Sequence, residues 1–207
     1  MKKIIIVDYG MGNLFSIKSA INKLGYTSNI SSSEKEIIDA THIILPGVGE
    51  FRKAMDNLKK LSLDRVIIQL SKNKKVKILG ICLGMQLLCN SSVEGGKRTK
   101  GLGLINADIV RLDKDENYKL PHIGFNEVEF MKDSIFSNNS SVKIDFYFVH
   151  SYCLANHNDQ DESILGFSHY KNRFISYFQN DPIYATQFHP EKSQTNGLKL
   201  LKLFLDL

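Results

Sequence analysis

The most constraining feature of the sequence is a short segment in which an apolar run changes into a helical pattern at a single thiol. Residues 76–81 are mostly apolar, and after Cys82 leucines stand at positions 83, 87 and 88, which is helical spacing. Gly80 and Gly84 flank the thiol, giving the G-x-C-x-G spacing of a nucleophile elbow with cysteine in place of serine. A thiol at the start of a helix has its thiolate form favoured. The segment predicts a strand, a turn that carries a nucleophile, and a helix; an unreactive buried cysteine is the alternative.

Composition narrows the class of protein. The chain has 207 residues, 43% hydrophobic and 24% charged, so we expect one domain over residues 1–207 with a substantial core. No apolar run has membrane-spanning length. Three cysteines, an odd count without metal-ligand spacing, favour a reducing cytoplasm with no structural disulfide and no metal site. We also expect no cofactor. The net charge of +5 comes partly from basic stretches at 72–77 and 97–100, which lack interleaved aromatics and indicate a solvated face rather than a nucleic-acid site.

The order of predicted elements indicates an α/β fold. In the first half, strands are predicted at 3–8, 26–30, 42–45 and 76–81, and helices at 13–24, 34–38, 51–58, 63–70 and after Cys82. Later strands are predicted at 105–112, 127–130, 145–149, 164–169, 174–178 and 183–187, with a last helix at 198–205 and a polar loop at 156–162. Alternating strands and helices favour a mostly parallel sheet flanked by helices, and the later segments favour an added antiparallel or mixed β segment.

The loop Pro46-Gly47-Val48-Gly49 follows the third predicted strand. Ligands of parallel sheets bind at the carboxyl ends of the strands, where Cys82 is also expected, so the loop and the thiol are predicted to be close. Two glycines allow backbone N–H groups to turn toward an oxyanion. The loop is therefore a candidate oxyanion site, with a plain tight turn as the alternative.

A cysteine nucleophile needs a base, and the sequence offers six histidines. His189 is favoured because it leaves a predicted strand and precedes a proline, with Glu191 two positions further on. In an extended chain these two side chains point the same way, so the carboxylate can hold one imidazole nitrogen while the other meets the thiol. We predict a triad of Cys82, His189 and Glu191, and we expect no chemical role for His42 and His157.

Several motifs together resemble a known family. The segment G-I-C-L-G-M-Q at 80–86, with His189-Pro190-Glu191, resembles the class I (triad) glutamine amidotransferases, and the resemblance covers nearly the whole chain. Five blocks in the right order further resemble the glutaminase subunits that serve imidazole glycerol phosphate synthase. These blocks are residues 8–14, 46–51, 121–126, 147–152 and 189–194.

The resemblance implies a flavodoxin-like fold and hydrolysis of glutamine to glutamate. Ammonia would pass to a (β/α)₈ synthase subunit in a heterodimer that makes imidazole glycerol phosphate and AICAR from PRFAR in histidine biosynthesis, without nucleic acid or membrane as a partner. Cys82 would attack the side-chain amide, His189 would protonate the leaving ammonia, and Glu191 would orient His189.

The resemblance also assigns residues around the triad. The oxyanion hole is implied at the backbone of Leu83, Gly47, Val48 and Gly49. Glutamine binding is implied at Gln86, Glu94, Ser151 and Tyr152. The face toward the synthase is implied at Asn13, Phe125, Asn126, Tyr147 and Lys192, where Phe125 departs from the tryptophan that is usual in the family.

Three other readings remain open from the sequence alone. Relatives of such subunits also supply ammonia to amidotransferases that modify surface sugars. A glutaminase-like chain could regulate its partner without catalysis, although the complete set of Cys82, His189 and Glu191 argues against this. A stand-alone cysteine hydrolase would not need the partner-facing blocks.

Overall fold

The fold is described from a computed structural model over residues 2–131, 133–137, 141–154 and 163–207. The strands are β1 Ile4–Val7, β2 Ser28–Ser31, β3 His42–Leu45, β4 Lys77–Ile81, β5 Cys89–Ser92, β6 Thr99–Lys100, β7 Ile105–Arg111, β8 His122–Phe130, β9 Val142–His150, β10 Tyr152–Leu154, β11 Ile164–Tyr170, β12 Asn172–Asn180 and β13 Ile183–Thr186. The helices are α1 Leu14–Lys23, α2 Glu34–Ile38, α3 Phe51–Lys60, α4 Leu63–Leu70, α5 Leu83–Leu88 and α6 Gln194–Asp206. The predicted loop at 156–162, with His157, lies outside the described residues.

The sheet has a parallel part and a mixed part. The strands β2, β1, β3, β4 and β13 lie side by side in that order and are parallel. The sheet continues through β12, β10, β7, β5 and β6, while β11 pairs with β12 and β8, and β8 pairs with β9. The predicted α/β fold with an added mixed β segment is confirmed.

The pairing of β4 with β13 decides where the functional segments meet. In this parallel pair Gly80 lies opposite Ala185 and Ile81 opposite Thr186. The Cys82 N–H then donates to the Thr186 carbonyl at 2.7 Å, just beyond the last strand pair. Two segments about a hundred positions apart in sequence therefore end together at the carboxyl edge of the sheet.

Apolar residues on both faces of the parallel strands hold the helices. Along β1, Ile5 and Val7 belong to a core shared with α3, α4 and α5, whereas Ile4 and Ile6 belong to a core shared with α1 and α6. This alternation follows from the two-residue repeat of a strand, and it explains why β1 is apolar at every position. No helix within the described residues is long and apolar enough to cross a membrane.

Several boundaries differ from those predicted. Strands β5, β6 and β10 were not predicted, because they are only two to four residues long and become strands through pairing with other strands rather than through an apolar pattern of their own. Strands β8 and β9 extend well before 127 and 145, pairing continuously from His122–His150 to Phe130–Val142. Polar residues and Gly124 interrupt the apolar alternation in the first half of β8, so the sequence pattern did not predict a strand there.

Helix α6 packs very closely on the chain that carries His189. A Cβ built at Gly197 would lie 1.8 Å from the carbonyl oxygen of Pro190, and Gly197 itself is buried. Only a residue without a side chain allows this approach, because normal contact distances are far longer.

We predict that Gly197→Ala destabilises the protein, although glycine to alanine in a helix interior ordinarily stabilises. The usual gain is about 0.5–1 kcal/mol, but the overlap with Pro190 should turn it into a loss of about 1–3 kcal/mol. Denaturant unfolding would measure the change. Lys199→Ala on the exposed side of the same helix is the control, expected within about 0.5 kcal/mol of the wild type. A Gly197→Ala protein as stable as wild type would contradict the close packing.

Candidate active site

Cys82 stands at the junction of β4 and α5 in a strained backbone conformation. Its φ is 54° and its ψ −110°, a positive φ that is rare for a residue with a side chain. The two flanking glycines are required by contacts: a Cβ at Gly84 would lie 1.8 Å from the Leu45 carbonyl oxygen, and one at Gly80 would lie 2.9 Å from the Met85 nitrogen. The predicted strand, turn and helix around Cys82 are all present.

The predicted oxyanion loop lies directly against this junction. A Cβ at Gly47 would lie 2.8 Å from Cβ of Leu83, the residue that follows Cys82. Tyr9, which sequence reasoning missed, holds the loop by donating its hydroxyl proton to the Pro46 carbonyl at 2.6 Å. Burial, together with the neighbouring Cys82, raises the pKa of Tyr9, so its hydroxyl remains a neutral donor. The only signal for Tyr9 in the sequence is its place in the block 8–14.

His189 and Glu191 form a buried pair. Nδ1 of His189 lies 2.8 Å from Oε1 of Glu191, and the two side chains are 3% and 1% exposed. Our prediction of an extended chain between them was wrong, because Pro190–Lys192 forms a single 3₁₀ turn. Proline has the backbone angle of a first helical position, so it starts a turn here rather than prolonging the strand. The turn still leaves the carboxylate facing the ring.

The environment of His189 favours its charged form. Burial alone would lower its pKa, but the Cys82 sulfur and the Glu191 carboxylate outweigh burial and raise the pKa to about 10. Nε2 of the same ring and Oε2 of Glu191 are both buried, and neither has a hydrogen-bond partner among the described residues. A protonated imidazole between a sulfur and a carboxylate is suited to donate a proton to a leaving group.

A cleft of about 340 Å³ opens beside the thiol. It is lined by Val48, Gly49, Cys82, Leu83, Gln86, Glu94, Pro121, Val149, His150, Ser151 and Tyr152. All four residues predicted to bind glutamine are in this set, with three of the four predicted to supply the oxyanion hole. The fourth, Gly47, lies behind the cleft against Leu83.

Glu94 links the rim of the cleft to the segment after the oxyanion loop. Its Oε2 accepts the Phe51 N–H at 2.8 Å, at the start of α3. Burial and the nearby Glu50 raise the pKa of Glu94, while the Phe51 N–H opposes them. The carboxylate therefore holds the start of α3 and also lines the cleft.

Three of the five predicted partner-facing residues form one cluster. Phe125 and Tyr147 lie opposite each other on β8 and β9 with ring centroids 5.7 Å apart, and Nζ of Lys192 lies 5.9 Å from the centroid of the Tyr147 ring. The Tyr147 carbonyl accepts the backbone N–H of His189 at 2.9 Å, so the cluster is bonded directly to the backbone of a residue of the predicted triad.

The other two predicted partner-facing residues lie apart from this cluster. Asn13 is exposed and caps α1 by accepting the Ser16 N–H at 3.3 Å. The Asn126 amide points away from Phe125 and donates to the His169 carbonyl and toward His122. The exposed side chain of Phe15, at 78%, is a further apolar surface that sequence reasoning did not single out.

Comparisons with known proteins show the family of this chain. The family model described as glutamine amidotransferase class-I matches residues 5–207. The chain is 49% identical over 207 residues to imidazole glycerol phosphate synthase subunit HisH 1 of Parasynechococcus marenigrum, covering 99% of this chain and 98% of that protein. It is 45% identical over 202 residues to subunit HisH 2 of Methanococcus maripaludis, covering 98% of each.

A solved structure has the same fold. The crystal structure of a putative GMP synthase subunit from Thermoplasma acidophilum matches with a TM-score of 0.71 and 25% identity, covering 100% of this chain and 93% of that one. The family match spans the elbow, the cleft and the His189 turn. The chain belongs to the glutamine amidotransferase class-I family.

Proposed function

We propose that this chain is the glutaminase subunit of an imidazole glycerol phosphate synthase, supplying ammonia for histidine biosynthesis. The observation that carries the proposal is the pairing of the Cys82 elbow with a buried His189–Glu191 contact of 2.8 Å beside one cleft. Relatives that share 38–49% identity over nearly the full chain carry the name of that subunit, which favours this pathway over amidation of surface sugars.

The proposed chemistry uses three side chains. The Cys82 thiolate attacks the side-chain carbonyl carbon of glutamine, and a C–S bond forms. His189 then protonates the amide nitrogen, the C–N bond breaks, and ammonia leaves a thioester on Cys82. With ammonia gone, His189 takes a proton from water, which attacks the thioester and releases glutamate. Glu191 holds the imidazole by Nδ1 throughout, so that Nε2 faces the reacting atoms.

Charge that develops on the carbonyl oxygen needs donors close to Cys82. The N–H of Leu83 and the backbone of residues 47–49 are the proposed donors, since the loop and the elbow are in contact. Removing one such donor typically costs on the order of 10²–10³ in rate, so a change in this loop is sufficient to control turnover.

The proposed partner is a (β/α)₈ synthase subunit in a heterodimer. Phe125 is 52% exposed, Ile123 60% and Val48 43%, which places apolar surface on the strands and loop next to the cleft. The cysteines Cys82, Cys89 and Cys153 are all unpaired, which fits the reducing cytoplasm in which we place the reaction.

We predict that Cys82→Ala abolishes glutamine-dependent synthesis, a loss on the order of 10⁴-fold or more, because the nucleophile is gone. Ammonia-dependent synthesis by the complex should remain, since the alanine leaves the partner's site intact. Assays of both activities with the synthase subunit would measure this. Cys89→Ala, another buried thiol, is the control and should keep glutamine-dependent turnover. Near wild-type turnover of Cys82→Ala with glutamine would refute the assignment of the nucleophile.

We predict that the pKa of His189, about 10 in the wild type, falls in Cys82→Ala and falls less in Glu191→Gln. The sulfur is the largest of the influences that raise this pKa, so its loss lets burial dominate. Titration of the imidazole by nuclear magnetic resonance would follow the proton, which the wild type should retain through neutral pH. His42, whose pKa is lowered to about 4 by burial and by Lys2 and Lys77, should titrate alike in all three proteins. An unchanged His189 in Cys82→Ala would disprove the sulfur–imidazole interaction.

We predict that the chain alone hydrolyses glutamine slowly and that the synthase subunit with bound substrate analogue increases turnover. The backbone carbonyl of Tyr147 accepts the His189 N–H, so a partner that docks on Tyr147 would contact a residue bonded to the catalytic segment. Lys192→Ala should lose the stimulation, whereas Lys202→Ala, which changes a lysine paired with Asp206 on α6, should leave it unchanged. Equal rates for the chain alone and in the complex would favour a stand-alone hydrolase instead.

A further inference from the structure

Two buried histidines outside the triad lie opposite each other on β8 and β9. His122 Nδ1 is 3.1 Å from His150 Nε2, and the two residues are 4% and 5% exposed. The ring of His122 also stacks on Tyr170, with centroids 4.1 Å apart and planes 24° apart. We call His122 and His150 the buried histidine pair.

The direction of every hydrogen bond through this pair is determined. His150 Nδ1 is 2.9 Å from the Tyr152 carbonyl oxygen, which can only accept, so Nδ1 carries the proton and Nε2 accepts. His122 must then donate from Nδ1 to His150, and its Nε2 accepts from the Asn126 amide at 3.3 Å. Burial lowers the pKa of His122 to about 4 and, with the neighbouring histidines, that of His150 to about 3. The pair therefore stays neutral and keeps this order of donors near neutral pH.

A second set of bonds joins the same carbonyl to the nucleophile. Gln86 Nε2 donates to the Tyr152 carbonyl at 2.9 Å and to Oε1 of Gln187 at 3.0 Å. Gln187 Nε2 in turn lies 3.6 Å from the Cys82 sulfur, within hydrogen-bond range for sulfur. Gln187 is completely buried, and the triad chemistry does not use it.

We propose that Gln187 is a positioning residue for the Cys82 sulfur, and that the buried histidine pair holds the frame in which Gln187 sits. Oε1 of Gln187 accepts a hydrogen bond from Gln86, and this bond fixes the orientation of the Gln187 amide group. An N–H of Gln187, and not its carbonyl, therefore faces the sulfur. An N–H donor stabilises the thiolate, whereas the thiol proton has a different acceptor, the Val149 carbonyl at 3.9 Å. The identity of the compound that the thiolate attacks rests on the proposed function, whereas the contact between Gln187 and the Cys82 sulfur does not.

The same bonds decide what Gln86 offers to a ligand in the cleft. Both of its N–H bonds are used, one to the Tyr152 carbonyl and one to Gln187. Its carbonyl oxygen is left as an acceptor for an N–H of the substrate. The buried histidine pair, by fixing that carbonyl, positions the substrate-facing side of Gln86 as well as the nucleophile.

The first test measures the thiolate without any turnover. The full chain is treated with iodoacetamide over a range of pH, and alkylation of Cys82, in which sulfur displaces iodide, is followed by peptide mass spectrometry. Burial raises the pKa of Cys153 to about 12 and also raises that of Cys89, so these two should react slowly. Besides Gln187 and the Val149 carbonyl, the titratable side chains His189 and Tyr9 interact with the Cys82 sulfur, and both are kept in every variant of this test.

Gln187→Met keeps the length of the side chain and removes the donor. Alkylation of Cys82 at neutral pH should fall about 10-fold, because the thiolate loses a charge-assisted hydrogen bond. In Gln187→Asn the side chain is one methylene shorter, so its amide does not reach the sulfur and alkylation of Cys82 should also fall. This variant replaces Gln187→Met in the test if the methionine variant does not fold. Gln179→Met is the matched control, since Gln179 accepts from Ile135 N–H and the Tyr177 hydroxyl and should leave alkylation unchanged.

The second test addresses the buried histidine pair through glutamine hydrolysis by the complex. His122→Phe keeps the stacked ring and removes both nitrogens, so KM for glutamine should rise several-fold with a smaller change in kcat, since the cleft is loosened but the triad is intact. His42→Phe, at another buried histidine, should leave KM unchanged. Wild-type alkylation in both Gln187 variants would overturn the proposal even if the chain is a glutaminase. Reduced alkylation in a chain without glutaminase activity would support the contact and refute the proposed function instead.

Discussion

The site depends on one steric constraint, the absence of side chains where the end of β3 meets the start of α5. Gly84 approaches the Leu45 carbonyl so closely that a Cβ would lie 1.8 Å from the oxygen, and a Cβ at Gly47 would lie 2.8 Å from Cβ of Leu83. The backbone at Gly84 therefore packs on the backbone at the end of β3, and the Leu83 side chain packs on Gly47. The strained Cys82 conformation, with φ of 54°, is held because the segments on either side of it cannot move apart without losing these contacts.

The segment that carries His189 and Glu191 is also closely packed, here against helix α6. His189 and Glu191 are joined through a 3₁₀ turn, and the turn is pressed against α6 at Gly197. Because the carboxylate is buried, its interaction with the ring is little screened by solvent. Together with the Cys82 sulfur, which raises the pKa of His189 the most, this interaction gives an imidazole that holds its proton at neutral pH although the ring is buried.

The proposed partner face and the proposed chemistry share the backbone of β9. Tyr147 presents its ring to Phe125 and Lys192 on the surface, while its carbonyl accepts the His189 N–H. Three residues further along, His150 belongs to the buried histidine pair that fixes the Tyr152 carbonyl. One strand therefore carries contacts to the surface cluster, to the backbone of His189 and to the residues that line the cleft.

The sequence by itself determined the elements and the chemistry that depend on short spacings. The elbow around Cys82 and the pairing of His189 with Glu191 are local, because each involves residues within four positions of one another. The alternation of apolar runs likewise determined the α/β fold, since buried parallel strands need continuous apolar sequence. The turn at Pro190 was misread because proline is compatible with both an extended chain and a first helical position.

Only the tertiary structure decided the contacts that cross between strands. Gln187 faces the Cys82 sulfur because β4 and β13 pair in parallel with one register, and a shift by one residue would turn its side chain to the other face. The buried histidine pair forms because β8 and β9 place His122 opposite His150, twenty-eight positions apart. Residue types and spacings carry no record of such pairings, since register is set by packing of the whole sheet, whereas the reactive groups it aligns were visible in the chain from the start.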